Sequence, residues 1–184
     1  MGLVLPQEIH VSTKIASTEK NAESDKKAVE TEGFNRSEYN IAINFLEQIP
    51  FNKLLGLRPT KLSADYCEFK MNMRDDLIGN FLQGILHGGA ISTALDVTGG
   101  AMAMVAAWQR LKEHKVPKEE RPKTLAKLGT IDMRVDFLQP GKGKEFTIGS
   151  TLLRIGNKVA VTRMELRNEK DELIAVGTGT YLCG

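Results

Sequence analysis

From Gly88 to Leu111 the chain carries apolar or small side chains around most of a helical circumference, with no proline to break it. A helix without a polar face must be enclosed, either by lipid or by the rest of a folded domain. Its most apolar part, Gly88–Ala107, approaches the roughly 20 residues that span a bilayer. The same part holds Asp96, the hydroxyls of Ser92, Thr93 and Thr98, and glycines at 88, 89, 99 and 100. A carboxylate and three hydroxyls are costly in hydrocarbon, so no membrane span is expected and the enclosure is read as protein.

The flanking sequence supplies that enclosure. In Tyr66–Met73 the apolar Cys67, Phe69, Met71 and Met73 alternate with Tyr66, Glu68, Lys70 and Asn72, the pattern of a half-buried strand. Leu57–Leu62 is placed to pair with it across Ser63–Asp65. Asp75–Gln83 reads as loop, with Gly79-Asn80 as turn chemistry. Four strands follow the helix. In the first, Ile131, Met133, Val135 and Phe137 alternate with Thr130, Asp132, Arg134 and Asp136 before Gln139-Pro140-Gly141 turns the chain. Phe146, Ile148, Ser150 and Leu152 mark the next, and the turn Ile155–Lys158 leads into Val159–Leu166. The polar Asn168–Glu172 precedes the last, Leu173–Leu182. Two strands, a buried helix and four consecutive strands predict an α+β domain, most economically an antiparallel sheet curled around one long central helix.

Upstream, Ser37 reads as the N-cap of a packing helix with Ile41, Phe45 and Ile49 at helical spacing, stopped by Pro50 and followed by a short turn through Phe51–Leu55. Residues 1–36 are rich in Ser, Thr, Lys, Glu and Asn. Such a segment buries too little to offset its ordering entropy, and a mobile tail is expected there, ahead of one domain over residues 37–184. Glu8 interrupts any apolar signal region, so the expected location is cytoplasmic. A chain of 184 residues buries about 70% of its unfolded surface, enough for a core without staples.

Charge and cysteine usage exclude several function classes. The net charge is +2, but residues 1–40 carry five basic and seven acidic side chains, while Arg110–Lys127 carries seven basic and three acidic. The positive charge is therefore local: too little for a nucleic-acid surface, enough to meet one small anionic ligand. Cys67 and Cys183 cannot build a disulfide framework or a zinc site, and His10 and His114 join no constellation with them. No phosphate-binding loop, dinucleotide fingerprint or nucleophile elbow is present, and no metal or cofactor is called for. Met102, Met104 and Trp108 read as core or tunnel lining rather than a cofactor box.

Chemistry concentrates between Asn80 and Asp96. Gly88 and Gly89 open the helix, presenting backbone N–H groups with no side chain in the way. Close helix–sheet packing would also explain them. Asp96 lies two turns further on an otherwise apolar helix, where a carboxylate must be paired, solvated or used. His87 is read as a helix-start residue bonded to a nearby carbonyl. Eight residues at 1.5 Å each separate Gly88 from Asp96 by about 12 Å, too far for one carbonyl group to touch both. If the two act together, a two-fold dimer must bring the Asp96 of one copy to the helix start of the other.

The stretch Gly79–Gly89, reading Gly-Asn-x₃-Gly-Ile-Leu-His-Gly-Gly, and the later Gly129–Asp136, reading Gly-Thr-Ile-Asp-x-Arg-Val-Asp, resemble the hotdog-fold acyl-CoA thioesterases of the PaaI type. The resemblance covers residues 45–184 and implies a hotdog fold and hydrolysis of a thioester to free acid and CoA. It implies that Asp96 is the general base or nucleophile, that Gly88 N–H polarises the thioester carbonyl, and that the Asn80 amide lies near the same oxygen. Asn80 stands seven residues before His87, one more than in several relatives. Thr130 falls where a hydroxyl assists water or the carboxylate, and His87 and Gly89 support the site. A homodimer at least, arranged as a dimer of dimers, is implied, with no cofactor. Lys115, Lys118 and Lys123 in the basic run become candidates for contact with CoA phosphates. Two other readings share the fold: a hydratase or dehydratase, and a module that binds acyl-CoA without turnover.

Overall fold

The computed structural model describes residues 36–184; the expected tail lies, apart from Arg36, outside the described residues. The elements run α1 (Arg36–Gln48), α2 (Pro50–Leu55), β1 (Arg58–Leu62), β2 (Tyr66–Asn72), a 3₁₀ turn (Asp75–Leu77), β3 (Ile78–Asn80), β4 (Ile85–Leu86), α3 (Gly88–Glu113), α4 (Arg121–Leu125), β5 (Gly129–Phe137), β6 (Glu145–Ile155), β7 (Val159–Asn168) and β8 (Leu173–Leu182). Six strands form one antiparallel sheet in the order β1-β2-β6-β7-β8-β5, and β3 and β4 make a separate small hairpin.

The long helix lies across this sheet, against β2 and β5–β8. By length and composition α3 would cross a membrane, yet 72% of that apolar window is buried inside the fold. The alternation of the strands explains why. Cys67, Phe69 and Met71 of β2, Phe146 and Ile148 of β6, and Met164 and Leu166 of β7 all turn to the helix. Leu95, Met102 and Val105 of α3 are fully enclosed by them, each contributing roughly 1.5–3 kcal/mol of burial. Met102 and Met104 are core residues.

Two details differ from the sequence expectations. The stretch Asp75–Gln83 is not all loop, because β3 and β4 pair around Phe81–Gly84. On α1 the packed positions are Tyr39 and Leu46, whereas Ile41 and Phe45 are 64% and 58% exposed; of the expected stripe only Ile49 meets the core. Ile41 and Phe45 share one face at i, i+4, and Tyr39 and Leu46, on the other side of the helix, dock instead. Asn52 Nδ2 donates to Leu46 O at 2.9 Å, tying α2 to α1, and Gly56 ends α2 in the left-handed region at φ 69°.

Burial has a consequence for the core thiol. Cys67 is fully enclosed, and loss of solvation pushes its pKa from 9.0 up to about 12, with the Asp65 charge adding to the rise and a Ser63 backbone hydrogen bond opposing it. A group held protonated only in the fold stabilises fully below its unfolded pKa, and that contribution is lost as pH rises through the folded value. Denaturant unfolding midpoints are therefore expected to fall as pH rises from about 9 toward 12, and Cys67→Ala should flatten that decline. An unchanged slope in the variant would show that the thiol is not responsible.

Candidate active site

The start of α3 is built by His87 and three glycines. His87, with extended backbone, is the N-cap: its Nδ1 accepts from Gly89 N–H at 2.8 Å, and its carbonyl accepts from Ile91 N–H at 3.1 Å. The ring therefore serves as a cap acceptor, not as a donor to a carbonyl as the sequence suggested, and the neutral ring keeps its proton on Nε2. A Cβ at Gly89 would lie 2.9 Å from His87 Nδ1, so glycine there makes room for the cap. Gly79 plays the matching part on β3, where a Cβ would lie 2.8 Å from His87 Cα. At Gly88 the space is ordinary, with the Phe137 ring 3.4 Å from a Cβ position. Gly88 N–H, at the first helical position, has no intrahelical acceptor and meets none elsewhere among the described residues.

Asn80 closes the β3–β4 turn. Its Oδ1 accepts from Leu82 N–H at 3.1 Å, while Nδ2 has no intramolecular partner among the described residues. Phe81 and Leu82 beside it are more than four-fifths exposed. The hairpin thus holds a free amide donor at its tip, on the chain that leads directly into Gly88.

Two turns along α3, Asp96 meets the sheet. Thr130 Oγ1 donates to Asp96 Oδ1 at 2.8 Å, across 34 positions of sequence. A strict alternation of β5 would forbid this contact. Met133, Val135 and Phe137 pair with Gly179, Gly177 and Ala175, which puts them on the helix side, and Thr130 would then fall on the outer side with Asp132 and Arg134. The ladder shifts between Thr130 and Asp132, so that Thr130 pairs with Tyr181, a buried helix-facing residue. Ile131 is the extra residue of this β-bulge and is 57% exposed. The bulge turns Thr130 inward onto the carboxylate, a re-aiming that bulges beside functional sites commonly perform. Arg134 and Asp136 remain outside as a surface ion pair at 3.0 Å.

The fold brings Asp96 and Thr130 together and keeps Gly88, Gly89 and His87 at the other end of the same two helical turns. The basic run is divided. Arg121 is buried, donating to Val116 O at 2.9 Å with its guanidinium 5.5 Å from the Trp108 ring; Lys112 pairs with Glu38, and Arg110 bonds Asn157. Lys115, Lys118 and Lys123 are exposed. Lys115 takes a left-handed conformation, φ 55°, in the turn that ends α3. Among the described residues no three His, Cys, Asp or Glu side chains gather as a metal site would require.

Residues 83–175, half of the chain and the part holding the helix, Asp96 and β5, match the family described as "Thioesterase superfamily". The chain belongs to that superfamily. The medium/long-chain acyl-CoA thioesterase YigI of Salmonella typhimurium is 43% identical over 141 residues, 76% of this chain and 89% of that protein. A crystal structure of a Shewanella oneidensis protein related to the thioesterase superfamily is 42% identical, covering 82% of this chain and all of its own, with a TM-score of 0.75. The Escherichia coli PaaI protein, 16% identical, covers 79% of this chain and 92% of its own with a TM-score of 0.63, a likeness of fold alone.

Sequence reasoning missed the bulge. Ile131 carries no glycine or proline signal, and the contact it permits spans the sheet. Deleting Ile131 makes Thr130 and Asp132 direct neighbours opposite Tyr181 and Thr180, so plain alternation returns with Thr130 still facing the helix. The deletion variant and Thr130→Ser are therefore expected to keep most of the thioester hydrolysis that Thr130→Val loses. A deletion variant as slow as Thr130→Val would show that an inward Thr130 side chain is not sufficient for the reaction.

Proposed function

We propose that the protein is an acyl-CoA thioesterase acting on medium- or long-chain acyl groups, the substrate class in its relatives' name. The observation that carries the mechanism is the Thr130 hydroxyl donating to the Asp96 carboxylate at the surface of an otherwise apolar helix. Asp96, held in one orientation, is the general base: it takes a proton from water, and the hydroxide attacks the thioester carbonyl. The developing oxyanion accepts from Gly88 N–H, reinforced by the positive end of the helix, and from the Asn80 amide. Collapse breaks the C–S bond, the departing sulfur takes up the proton, and free acid and CoA leave.

Asp96 and Gly88 of one chain are about 12 Å apart along α3, so each site is assembled from two chains, Asp96 from one and Gly88 from the other. The exposed outer edge of β5 supports this reading. It runs nine residues with Ile131 and Phe137 more than half exposed, and a long edge strand with exposed large apolar side chains is seldom left uncovered. Thr130 lies on that edge.

Gly88→Pro removes only the donor, because proline suits the first helical position and His87 already has the extended backbone a following proline needs. Both Gly88→Pro and Asp96→Ala chains should be inactive alone. Co-expressed, half of the dimers are mixed and each mixed dimer holds one intact site, so about a quarter of the wild-type rate should return. No recovery, with dimers present, would place both residues' functions within one chain; full activity of Asp96→Ala would exclude the mechanism. Separately, neutralising Lys115, Lys118 and Lys123 together should raise KM for acyl-CoA but not for a truncated pantetheine thioester. Equal effects on both substrates would return these lysines to ordinary surface charge.

A further inference from the structure

Asp96 is gripped at a second point. The Tyr181 hydroxyl donates to the Asp96 backbone carbonyl at 3.2 Å, joining β8 to the helix across 85 positions of sequence. Tyr181 is the ladder partner of Thr130, so the residue that holds the Asp96 carboxylate and the residue that holds its carbonyl stand opposite each other on neighbouring strands. The turn they grip contains Gly99 and Gly100, a pair that weakens a helix interior by about 1 kcal/mol per glycine. The reason for Gly99 is steric. A Cβ there would lie 2.3 Å from the Tyr181 hydroxyl, 2.8 Å from Met164 Sδ and 2.9 Å from Thr162 Oγ1. Gly179, two residues before Tyr181 on the same strand face, is equally constrained, since its Cβ would lie 2.6 Å from the same hydroxyl. Glycines on both elements therefore clear a slot into which the phenol reaches. The ring is almost completely buried, and burial together with the Asp96 charge raises the phenol pKa well above its ordinary value, so the hydroxyl stays a donor.

We infer that Tyr181 is a positioning residue for the reaction, fixing through the Asp96 carbonyl the helical turn whose carboxylate Thr130 aims. The inference rests on the reading of Asp96 as the catalytic carboxylate. A turn weakened by two glycines would otherwise shift along and around the helix axis, and small displacements of a catalytic group cost rate far more than affinity.

Tyr181→Phe keeps the ring in its slot and removes only the hydrogen bond. It is expected to lower kcat for acyl-CoA roughly 10-fold to 100-fold, the scale of loss from slight misplacement. KM should stay within about twofold, because the substrate touches neither Tyr181 nor the Asp96 carbonyl. Introduced into Asp96→Ala, the same change should cost nothing further, since a residue acting through Asp96 has no effect once the carboxylate is gone. A wild-type kcat in Tyr181→Phe, a loss accounted for by a lower folded fraction at the assay temperature, or an undiminished loss in the Asp96→Ala background would each overturn the assignment. Full activity of Asp96→Ala itself would instead overturn the reading of the site, whatever Tyr181→Phe does.

Discussion

A helix of 26 residues with no continuous polar face cannot face water along its length, and the burial of α3 is the constraint from which the rest of this structure follows. Six strands supply one apolar face wide enough to cover it. The close-packed seam of Leu95, Met102 and Val105 against Phe69, Phe146, Ile148 and Met164 fixes where along the sheet each turn of the helix rests. Once that register is fixed, so is the place of the one charged residue in the middle of the helix. Asp96 comes to rest against the edge of the sheet formed by β8 and β5, where hydroxyl donors are available.

The polar groups at the site follow from the cost of leaving them unpaired. A charge-assisted hydrogen bond such as that from Thr130 to Asp96 is worth about 1.5–3 kcal/mol, and it also selects one rotamer of the carboxylate. At the helix start the same economy works in reverse. His87 satisfies the Gly89 N–H and leaves the Gly88 N–H without an acceptor among the described residues. Two adjacent glycines thus have different causes, one clearing space for the cap and the other leaving an open donor beside Phe137.

Much of this was readable from the chain. The strand periods of β2, β6, β7 and β8, the start of α3 at Gly88 and the hairpin turns all follow from patterns over a few residues, because alternation and turn chemistry act locally. The outward face of α1 was misread for the same reason: Ile41 and Phe45 satisfy helical spacing as well as Tyr39 and Leu46 do, and only the partner surface distinguishes them. The hairpin after Asp75 leaves no strand signal in the sequence because its strands are three and two residues long, too short for a period to register.

The sequence by itself determined that a buried helix must be wrapped by an antiparallel sheet, that its start exposes glycine backbone, and that Asp96 requires a partner. Each of these depends on the order and spacing of residues along one segment. Tertiary structure alone decided who the partners are. A shift of one residue at Ile131 sends Thr130 to the helix side of the sheet, and the ladder then sets Tyr181 opposite it. A one-residue change of register reverses every side chain beyond it, and no pattern within β5 distinguishes the two outcomes. What distinguishes them is the fit of β5 to β8 and of β8 to the glycine turn of the helix, contacts that join residues 34 and 85 positions apart and exist only when the whole sheet is in place.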